Sequence, residues 1–272
     1  MDPVRFGTNP VVITKAADMR WHAVDDGRVA GRAEAWYRPD GRLFLSIDSW
    51  HDAVFGQLAE AALADLPRPL YTMVDEADTD LASHWTRAGF TTRRRELEYL
   101  VPTDPRVTGL GSAQPPPDVM IVAAGDADED LLRLLARQIH DEVEAAIGWR
   151  EMPAGVLPRP AGSVVADPSR YAVASRSGRY VGLLRMSSLT RLPRIGLIAV
   201  LSSQQRRGIA RALLAQTLES LHHSGISAVS AEVGESNQAG TELFDGIGGR
   251  RIGTSLELEL RSPGNARAPQ GA

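Results

Sequence analysis

The sequence predicts an α/β fold built on mixed β-sheets, in two halves that follow a similar order of elements. Short apolar strands alternate with amphipathic helices, one strand has the continuous apolar composition of a buried parallel strand, and a Pro-rich segment separates the halves. The 272 residues, 43% hydrophobic and 24% charged, suffice for one or two domains with buried cores.

The second half has the clearer pattern. Apolar residues at helical spacing predict a helix from Asp130 to about Ile147, and Ala228–Val233 is predicted to be a buried parallel strand. A turn with the sequence QQRRG precedes a long predicted helix from about Ile209 to His223. The remaining predictions are strands at Val119–Ala123, Tyr171–Ser175, Tyr180–Ser187, Arg194–Leu201 and Arg250–Leu260, and a helix at Ala239–Gly246.

The first half repeats part of this order. A hairpin (Val29–Tyr37 with Arg42–Asp48) precedes a helix at Asp52–Asp65, for which Asp52 is the expected N-cap. The segments HWTRAGFTTRRRELEYL and LFDGIGGRRIGTSLELEL correspond in pattern, which indicates two copies of one fold. The other predicted elements are a strand at Leu70–Val74, a helix at Asp78–Ala88 ended by Gly89, and a strand at Thr91–Val101.

Composition changes predict the domain boundaries. Residues 101–118 are rich in Pro and Gly and are expected to form a semi-rigid linker. It would join a first domain, residues 1–100, to a second, residues 119–261. The tail at 262–272 offers no side chains for a core and is expected to be disordered.

Several classes of function are excluded or disfavoured. Without cysteine, the chain has no Cys nucleophile, Cys-bound metal or disulfide. The net charge of −4 argues against non-specific nucleic-acid binding, and no metal-binding spacing of the H-E-x-x-H kind occurs. No run of 18 apolar residues and no signal peptide is recognised, so a cytoplasmic protein without a membrane partner is expected.

The most informative segment is IGLIAVLSSQQRRGIARALLAQTLE, residues 195–219. An apolar strand leads into a basic turn, and the turn opens an amphipathic helix. The first turn of a helix presents unpaired N–H groups and partial positive charge, which together bind phosphate. Gly208 permits a positive φ or the close approach of an anion.

These residues resemble the GCN5-related N-acetyltransferases (GNAT). Gln205 to Ala210 fits the family's Q/R-x-x-G-x-G/A pyrophosphate motif, and Leu197 to Val200 resembles its central strand. The E-V-x-x-x-N segment from Glu232 to Asn237 and the LF…IGG segment from Leu243 resemble two further signatures. The resemblance covers about residues 194–250, and the tandem arrangement is similar to mycothiol synthase and other two-domain actinobacterial acetyltransferases. It implies two tandem domains, of which the first, lacking a glycine turn after its strand, is truncated and degenerate.

The resemblance also implies acetyl-CoA as co-substrate and a set of binding residues. Backbone groups of Ile198, Ala199 and Val200 would pair with the pantetheine arm, and one N–H would polarise the thioester carbonyl. Asn237 would contact the arm where the strands diverge, beside Phe244. The pyrophosphate would be held at Gln205, Arg206, Arg207, Gly208, Ile209, Ala210 and Arg211.

Glu232 matches the family's position for a general base, five residues before the Asn. An amine with a pKa of about 10.4 must lose a proton before it attacks, and burial in an apolar strand would raise the pKa of Glu232 toward that task. The alternative is a structural ion pair with a nearby arginine such as Arg250 or Arg251. Phe244 stands where the family often has the Tyr that protonates the leaving thiolate. Either water or another group would protonate the thiolate, or it would leave as an anion.

In this family the acceptor binds near the second domain's first helix. Asp141, Glu142, Trp149 and Glu151 would form an acidic, aromatic-flanked rim for a cationic amine. The alternative is a solvated helix face followed by a loop.

The sequence therefore predicts an N-acetyltransferase that transfers an acetyl group to the primary amine of a small molecule, by direct attack and without a metal. Two alternatives stay open: acetylation of a protein N-terminus or lysine, and an acyl-CoA-binding module or sensor without turnover. The final strand offers an edge for pairing in a homodimer.

Overall fold

The computed structural model describes residues 11–38, 40–152, 167–188 and 192–262. Unit 1 comprises residues 1–95 and 255–272, and unit 2 comprises 96–254. The division therefore falls inside the two strands predicted near residues 91 and 250, not at a linker. The predicted tail, apart from Ser262, lies outside the described residues.

The sheet of unit 1 contains the strands β1 (Val12–Ala17), β2 (Arg20–Asp25), β3 (Arg28–Tyr37), β4 (Leu43–Ser49), β5 (Leu70–Asp75) and β12 (Arg250–Leu260). Their order in the sheet is β1-β2-β3-β4-β5-β12, and the next neighbour of β12 is β6 (Thr91–Pro102), whose residues 91–95 also belong to this unit. The final strand β12 is therefore not the sheet edge that was expected to pair in a homodimer. Only its second part belongs to unit 1. The strands β4 and β5 are parallel, whereas the pairs β1–β2, β2–β3, β3–β4 and β5–β12 are antiparallel. The parallel pairing of β4 with β5 covers only Leu43↔Leu70 and Phe44↔Tyr71.

Helices α1 (Asp52–Asp65) and α2 (Thr79–Arg87) pack on one apolar face of the unit 1 sheet. A Cβ on Gly31 would lie 2.9 Å from Cγ1 of Val54, so glycine lets α1 approach β3 closely. Asp78, the first residue of the predicted helix, is the N-cap of α2, and its side chain accepts the N–H of Leu81. The N-cap of α1 is His51 rather than the expected Asp52, whose carboxylate instead lies 3.1 Å from Nε2 of His84.

The sheet of unit 2 contains the strands β6 (Thr91–Pro102, in this unit from Glu96), β7 (Val119–Val122), β8 (Tyr171–Arg176), β9 (Arg179–Ser188), β10 (Arg194–Val200) and β11 (Ala228–Gly234). Their order is β6-β11-β10-β9-β8-β7. The strands β10 and β11 are parallel, and each of the other neighbouring pairs in this order is antiparallel.

Two apolar clusters cover the two faces of this sheet. The first contains α5 (Ile209–His223) and α6 (Gln238–Asp245), and the second contains α4 (Glu129–Ala146). Val229, Ala231 and Val233 of β11 face the first cluster, so Glu232 between them faces the α4 side. This alternation, in place of the expected all-apolar burial, puts the carboxylate of Glu232 on the opposite face from α5.

The expected linker is a packed part of unit 2. Residues 101–102 end β6, and Pro105–Thr108 form the short helix α3. Thr103 donates its N–H to the carbonyl of Ser227 at 3.1 Å, and the side chains of Thr103 and Leu110 are 0% and 3% exposed. The Pro and Gly content correctly indicates irregular backbone, but the segment is not a solvated spacer.

Candidate functional site

The site predicted from the sequence lies where β10 and β11 diverge. They are paired in parallel only at Arg194↔Ser230 and Ile195↔Ala231. Beyond these residues both strands continue, to Val200 and Gly234, without pairing to each other. A gap therefore opens between the two strands at their carboxyl ends, where an extended ligand can take the place of a strand.

The pairing of β10 with β9 is irregular at the start of this gap. Between the pairs Arg194↔Ser188 and Leu197↔Arg185, Ile195 lies opposite Met186, which leaves Ser187 on β9 and Gly196 on β10 without a partner in the register. A Cβ on Gly196 would lie 2.7 Å from Cβ of Ser187, a contact that only glycine avoids. The irregularity is local, because the register of β10 against β9 is the same before and after it.

The pairing with β9 identifies those groups. Leu201 donates its N–H to the carbonyl of Val181 at 2.9 Å, which fixes the alternation of hydrogen-bonded and non-hydrogen-bonded pairs. In the register Ala199↔Leu183 and Val200↔Gly182, Ala199 directs its backbone polar groups toward β9. Of the three residues expected to meet a pantetheine arm, Ile198 and Val200 therefore present backbone groups to the gap and Ala199 does not.

The segment Leu201–Gly208, which we call the cradle loop, connects β10 to α5. Arg206 has a φ of 63° and Gly208 a φ of 85°, so two residues of this short segment are left-handed. A non-glycine residue in that region is strained, and such strain is concentrated at functional sites. Gly208 is the N-cap of α5 without a side-chain hydrogen bond, and an added Cβ there would meet no heavy atom within 4 Å. The loop thus leads to an open helix N-terminus that suits a phosphate.

The side chains around the cradle loop have different orientations. Gln205 donates from Nε2 to the carbonyl of Val200 at 3.0 Å, which closes the loop against the end of β10. Arg206 and Arg207 are exposed. Arg211 is directed elsewhere, because its Nη1 lies 3.7 Å from the position of a Cβ on Gly246, at the end of α6. Its guanidinium is placed to stabilise that helix end, whereas Ile209 is buried in the core.

Asn237 is the N-cap of α6. Its Oδ1 accepts a hydrogen bond from the N–H of Gly240 at 3.0 Å, the structural role that Asn favours at this position. The side chain is exposed after the end of β11, at the same end of the strand as the gap. The carboxamide oxygen is committed to the cap, so a contact with a cofactor arm would use its Nδ2.

Glu232 forms an ion pair with Arg194 on the α4 side of the sheet. In the antiparallel pairing of β11 with β6, Glu232 lies directly opposite Glu98, and Gly234 lies opposite the buried Glu96. Burial raises the pKa of Glu232, Arg194 opposes this, and the charges of Glu96 and Glu98 add to the rise. The partner of Glu232 is therefore Arg194 rather than Arg250 or Arg251.

Phe244 is buried and offers no hydroxyl group near the gap. Its ring centroid lies 5.5 Å from that of Tyr99, but the Tyr99 hydroxyl donates to Oδ1 of Asp245 at 2.9 Å and accepts from Nε of Arg251 at 2.8 Å. Burial and the bond to Asp245 raise the pKa of Tyr99. The Tyr99 hydroxyl is hydrogen-bonded at the end of α6, so it does not take the place of the tyrosine that often protonates the thiolate in this family.

Three of the four residues predicted at the acceptor rim have partners within the protein. Glu142 accepts from the N–H and Oγ of Ser202 at 2.8 and 3.1 Å. Trp149 donates from Nε1 to the carbonyl of His140 at 3.0 Å, with its ring stacked on that of His140. Glu151 also has an interaction within the protein, whereas Asp141 lies exposed on α4. Glu142, Trp149 and Glu151 therefore connect the end of α4 to neighbouring parts of the protein.

Sequence reasoning missed Gly196, Arg194 and Glu98. A glycine inside an apolar strand indicates a bulge or the close approach of a neighbouring segment, and this signal was available at Gly196. The other two depend on strand register, which the sequence pattern does not reveal. Within the residues that the structure describes, no three His, Asp or Glu side chains come together to hold a metal ion.

Comparisons with known proteins agree with this geometry. Residues 135–248 match the family model described as acetyltransferase (GNAT) family. No curated protein matches the chain. None of the described helices has the length and apolarity needed to cross a membrane.

Three solved structures illustrate the fold. A GCN5-related N-acetyltransferase from Sphaerobacter thermophilus is 16% identical, with a TM-score of 0.64 over 91% of this chain and 82% of that one. A tandem GNAT protein from the clavulanic acid biosynthesis pathway is 15% identical, with a TM-score of 0.61 over 90% and 83%. A GCN5-related N-acetyltransferase from Kribbella flavida is 15% identical, with a TM-score of 0.54 over 93% and 90%. The predicted mixed α/β fold of the tandem GNAT type is confirmed.

Proposed function

Because residues 135–248 match the GNAT acetyltransferase family model and the fold is of the GNAT type, we propose that this chain transfers the acetyl group of acetyl-CoA to the primary amine of a small molecule. The observation that carries the proposal is the gap between β10 and β11, with the cradle loop at one border and Glu232 on the neighbouring strand. The extended thioester arm would lie in the gap, and its diphosphate would bind at the cradle loop.

The cradle loop and the first turn of α5 would hold the diphosphate. The N–H groups from Arg206 to Arg211 lie in or next to the left-handed turn, and Arg206 and Arg207 add positive charge. Ile198 and Val200 would pair through their backbone with the pantetheine arm. A gap-facing N–H group on β10 would hydrogen-bond the thioester oxygen as negative charge develops on it.

The reaction would be a direct attack within a ternary complex. The amine nitrogen forms a bond to the acetyl carbon, the carbon–sulfur bond breaks, and coenzyme A leaves as a thiolate. The ammonium group first gives one proton to Glu232, whose raised pKa brings it closer to the pH at which it must accept a proton, and the neutral amine then attacks. The nitrogen gives up a second proton to water as the amide forms. Phe244 cannot supply the proton that the thiolate takes up, so water supplies it in this proposal.

The mechanism must account for the ion pair between Glu232 and Arg194. An arginine beside a carboxylate stabilises its ionised form and weakens it as a base, whereas Glu98 and Glu96 act in the opposite direction. The site thus favours an acceptor that arrives as an ammonium ion, since a positive charge beside the Glu232 carboxylate is stabilised by it.

A second candidate function is an acyl-CoA-binding module without turnover. The ion pair of Glu232 with Arg194 and the phenyl ring at position 244 favour it, because both remove proton-transfer groups from the gap. The two candidates share the cradle loop and differ only in chemistry at Glu232.

Calorimetry with acetyl-CoA, followed by thiol release across a panel of amines, amino sugars and short peptides, tests both candidates. We expect binding together with acceptor-dependent release, and mass detection of the acetylated product identifies the acceptor. Tight binding without release above background across the panel would favour the binding module. Absence of binding would reject both candidates.

Glu232→Gln tests the base. We expect at least a tenfold loss of turnover, since general-base catalysis contributes about 10²–10⁴-fold, with the affinity for acetyl-CoA retained. Glu235→Gln, the same change on the exposed loop after β11, is the matched control and should keep full turnover. Equal turnover in the wild type and Glu232→Gln would remove Glu232 from the mechanism.

A further inference from the structure

Glu142 connects α4 to the cradle loop. Its Oε2 accepts the N–H of Ser202 at 2.8 Å and its Oε1 accepts the Ser202 hydroxyl at 3.1 Å, across 60 positions of sequence. A carboxylate that accepts two hydrogen bonds from one residue fixes that residue in both position and orientation. This is a different role from the acceptor rim predicted for Glu142.

The contact of Glu142 with Ser202 provides a hydrogen-bond acceptor for a 3-10 turn that has no capping side chain of its own. Residues Ser202–Gln204 form a single 3-10 turn whose N-cap is Leu201, a residue with no polar side-chain atom. The first N–H groups of a helical turn lack partners within the turn. Glu142 supplies the missing acceptor from another element, as an N-cap residue would from within the chain.

Two further contacts hold the middle of the cradle loop. Arg176 of β8 donates from Nη1 to Oε1 of Gln204 at 2.6 Å, and Gln205 bonds to the carbonyl of Val200. The beginning and middle of the loop are thus fixed from α4, β8 and β10. The left-handed residues Arg206 and Gly208 follow directly, so their backbone orientation depends on a loop whose start is fixed.

The negative charge of Glu142 affects diphosphate binding separately from the hydrogen bonds that Glu142 makes. A carboxylate near a diphosphate site opposes anion binding through its charge, so a surface position of Glu142 without a structural task would weaken the cofactor site. Its loop contacts act in the opposite direction, because a fixed loop loses less conformational entropy when a ligand binds. The two effects have opposite signs and can be separated.

We propose that Glu142 is a positioning residue that fixes the cradle loop for the diphosphate of acetyl-CoA. The inference rests on the proposed function for the ligand, but the fixing of the loop is a property of the free protein. It makes the end of α4 part of the cofactor site.

Three variants separate the contacts from the charge. Glu142→Ala removes both. Glu142→Gln removes the charge but keeps an acceptor for the Ser202 N–H and a donor for the Ser202 hydroxyl oxygen. Glu219→Ala removes an exposed carboxylate from the second half of α5 and is the matched control.

For Glu142→Ala we expect a Kd for acetyl-CoA about tenfold higher, the effect of losing about 1.4 kcal/mol, with kcat at saturation within about twofold of the wild type. Glu142→Gln should bind as tightly as the wild type or more tightly. In the free protein, the amides of residues 202–208 should exchange hydrogen faster in Glu142→Ala than in Glu142→Gln or Glu219→Ala.

Equal tightening of Kd in Glu142→Ala and Glu142→Gln would show an electrostatic role alone and overturn the proposal. Unchanged amide exchange in Glu142→Ala would also overturn it, since the loop would then be fixed without the contact. If the wild type binds no acetyl-CoA, the proposed function fails, and with it the ligand assigned to the loop. The exchange result still decides whether Glu142 fixes the loop.

Discussion

Replacing Gly208 by alanine separates the backbone geometry of the cradle loop from its ability to receive a ligand. Gly208 has a φ of 85°, and an added Cβ would meet no heavy atom within 4 Å. The substitution therefore costs stability through the backbone alone. The new methyl group occupies the open space in front of the first turn of α5.

Gly225 is a matched control just beyond the other end of α5. Its φ is 81°, and an added Cβ again meets nothing within 4 Å. A left-handed conformation costs a non-glycine residue about 1–2 kcal/mol, so we expect both alanine variants to lose about that much stability. At Gly208 alone, the methyl group also displaces a phosphate from the N–H groups behind it. The loss of one charge-assisted hydrogen bond, about 1.5–3 kcal/mol, corresponds to a Kd roughly ten- to a hundredfold higher.

Thermal unfolding and calorimetry with acetyl-CoA measure the two effects on the same samples. We expect equal decreases in the unfolding temperature for Gly208→Ala and Gly225→Ala, with the decrease in affinity confined to Gly208→Ala. If Gly225→Ala weakens acetyl-CoA binding as strongly as Gly208→Ala, the affinity loss reflects general destabilisation. If neither variant changes the affinity, the diphosphate does not bind at this loop.

Two further predictions concern buried carboxylates. Because the pKa of Glu232 is raised in the folded protein, its ionisation reduces the stability of the fold as the pH rises through that pKa. Glu232→Gln should therefore raise the unfolding temperature at pH 8 relative to the wild type and have less effect at pH 4. An equal shift of the unfolding temperature at both pH values would contradict this. Glu257, 0% exposed in unit 1, accepts from Arg42, Arg93 and Arg94 at 2.8, 2.7 and 2.8 Å. Glu257→Ala removes this shared acceptor and should cost about 3–5 kcal/mol in denaturant unfolding, whereas a loss below about 1 kcal/mol would show that the arginines find other acceptors.

The sequence predicted the core elements of unit 2 because local signals define them. The predicted helix from Ile209 to His223 is confirmed at both ends, and Gly208 has the positive φ expected of it. These features depend on residues close together in the chain. The prediction needed no knowledge of which strands are neighbours.

The features that sequence reasoning missed depend on pairing between distant segments. Glu98 lies opposite Glu232 only because β6 pairs with β11 in one register, and a shift by one residue would turn its side chain to the other face. The contact of Glu142 with Ser202 joins α4 to a loop 60 positions away. The strands β1 and β2 were missed for another reason: each has only six residues, and polar residues interrupt the apolar pattern, at Thr14 and Lys15 in β1 and at Arg20, His22 and Asp25 in β2.

A comparison of unit 1 with unit 2 shows which feature distinguishes the proposed cofactor site. Its parallel strands β4 and β5 pair at only two positions, as β10 and β11 do, so the divergence of strands is present in both halves. After β4, however, Trp50 is 80% exposed and Asp52 begins α1 with a carboxylate in the first turn. A negative charge in the first turn of a helix repels a second anion from the helix N-terminus. Since the two halves share the divergence but not the turn, we place the proposed diphosphate site at Arg206 and Gly208 in unit 2 and assign none to unit 1.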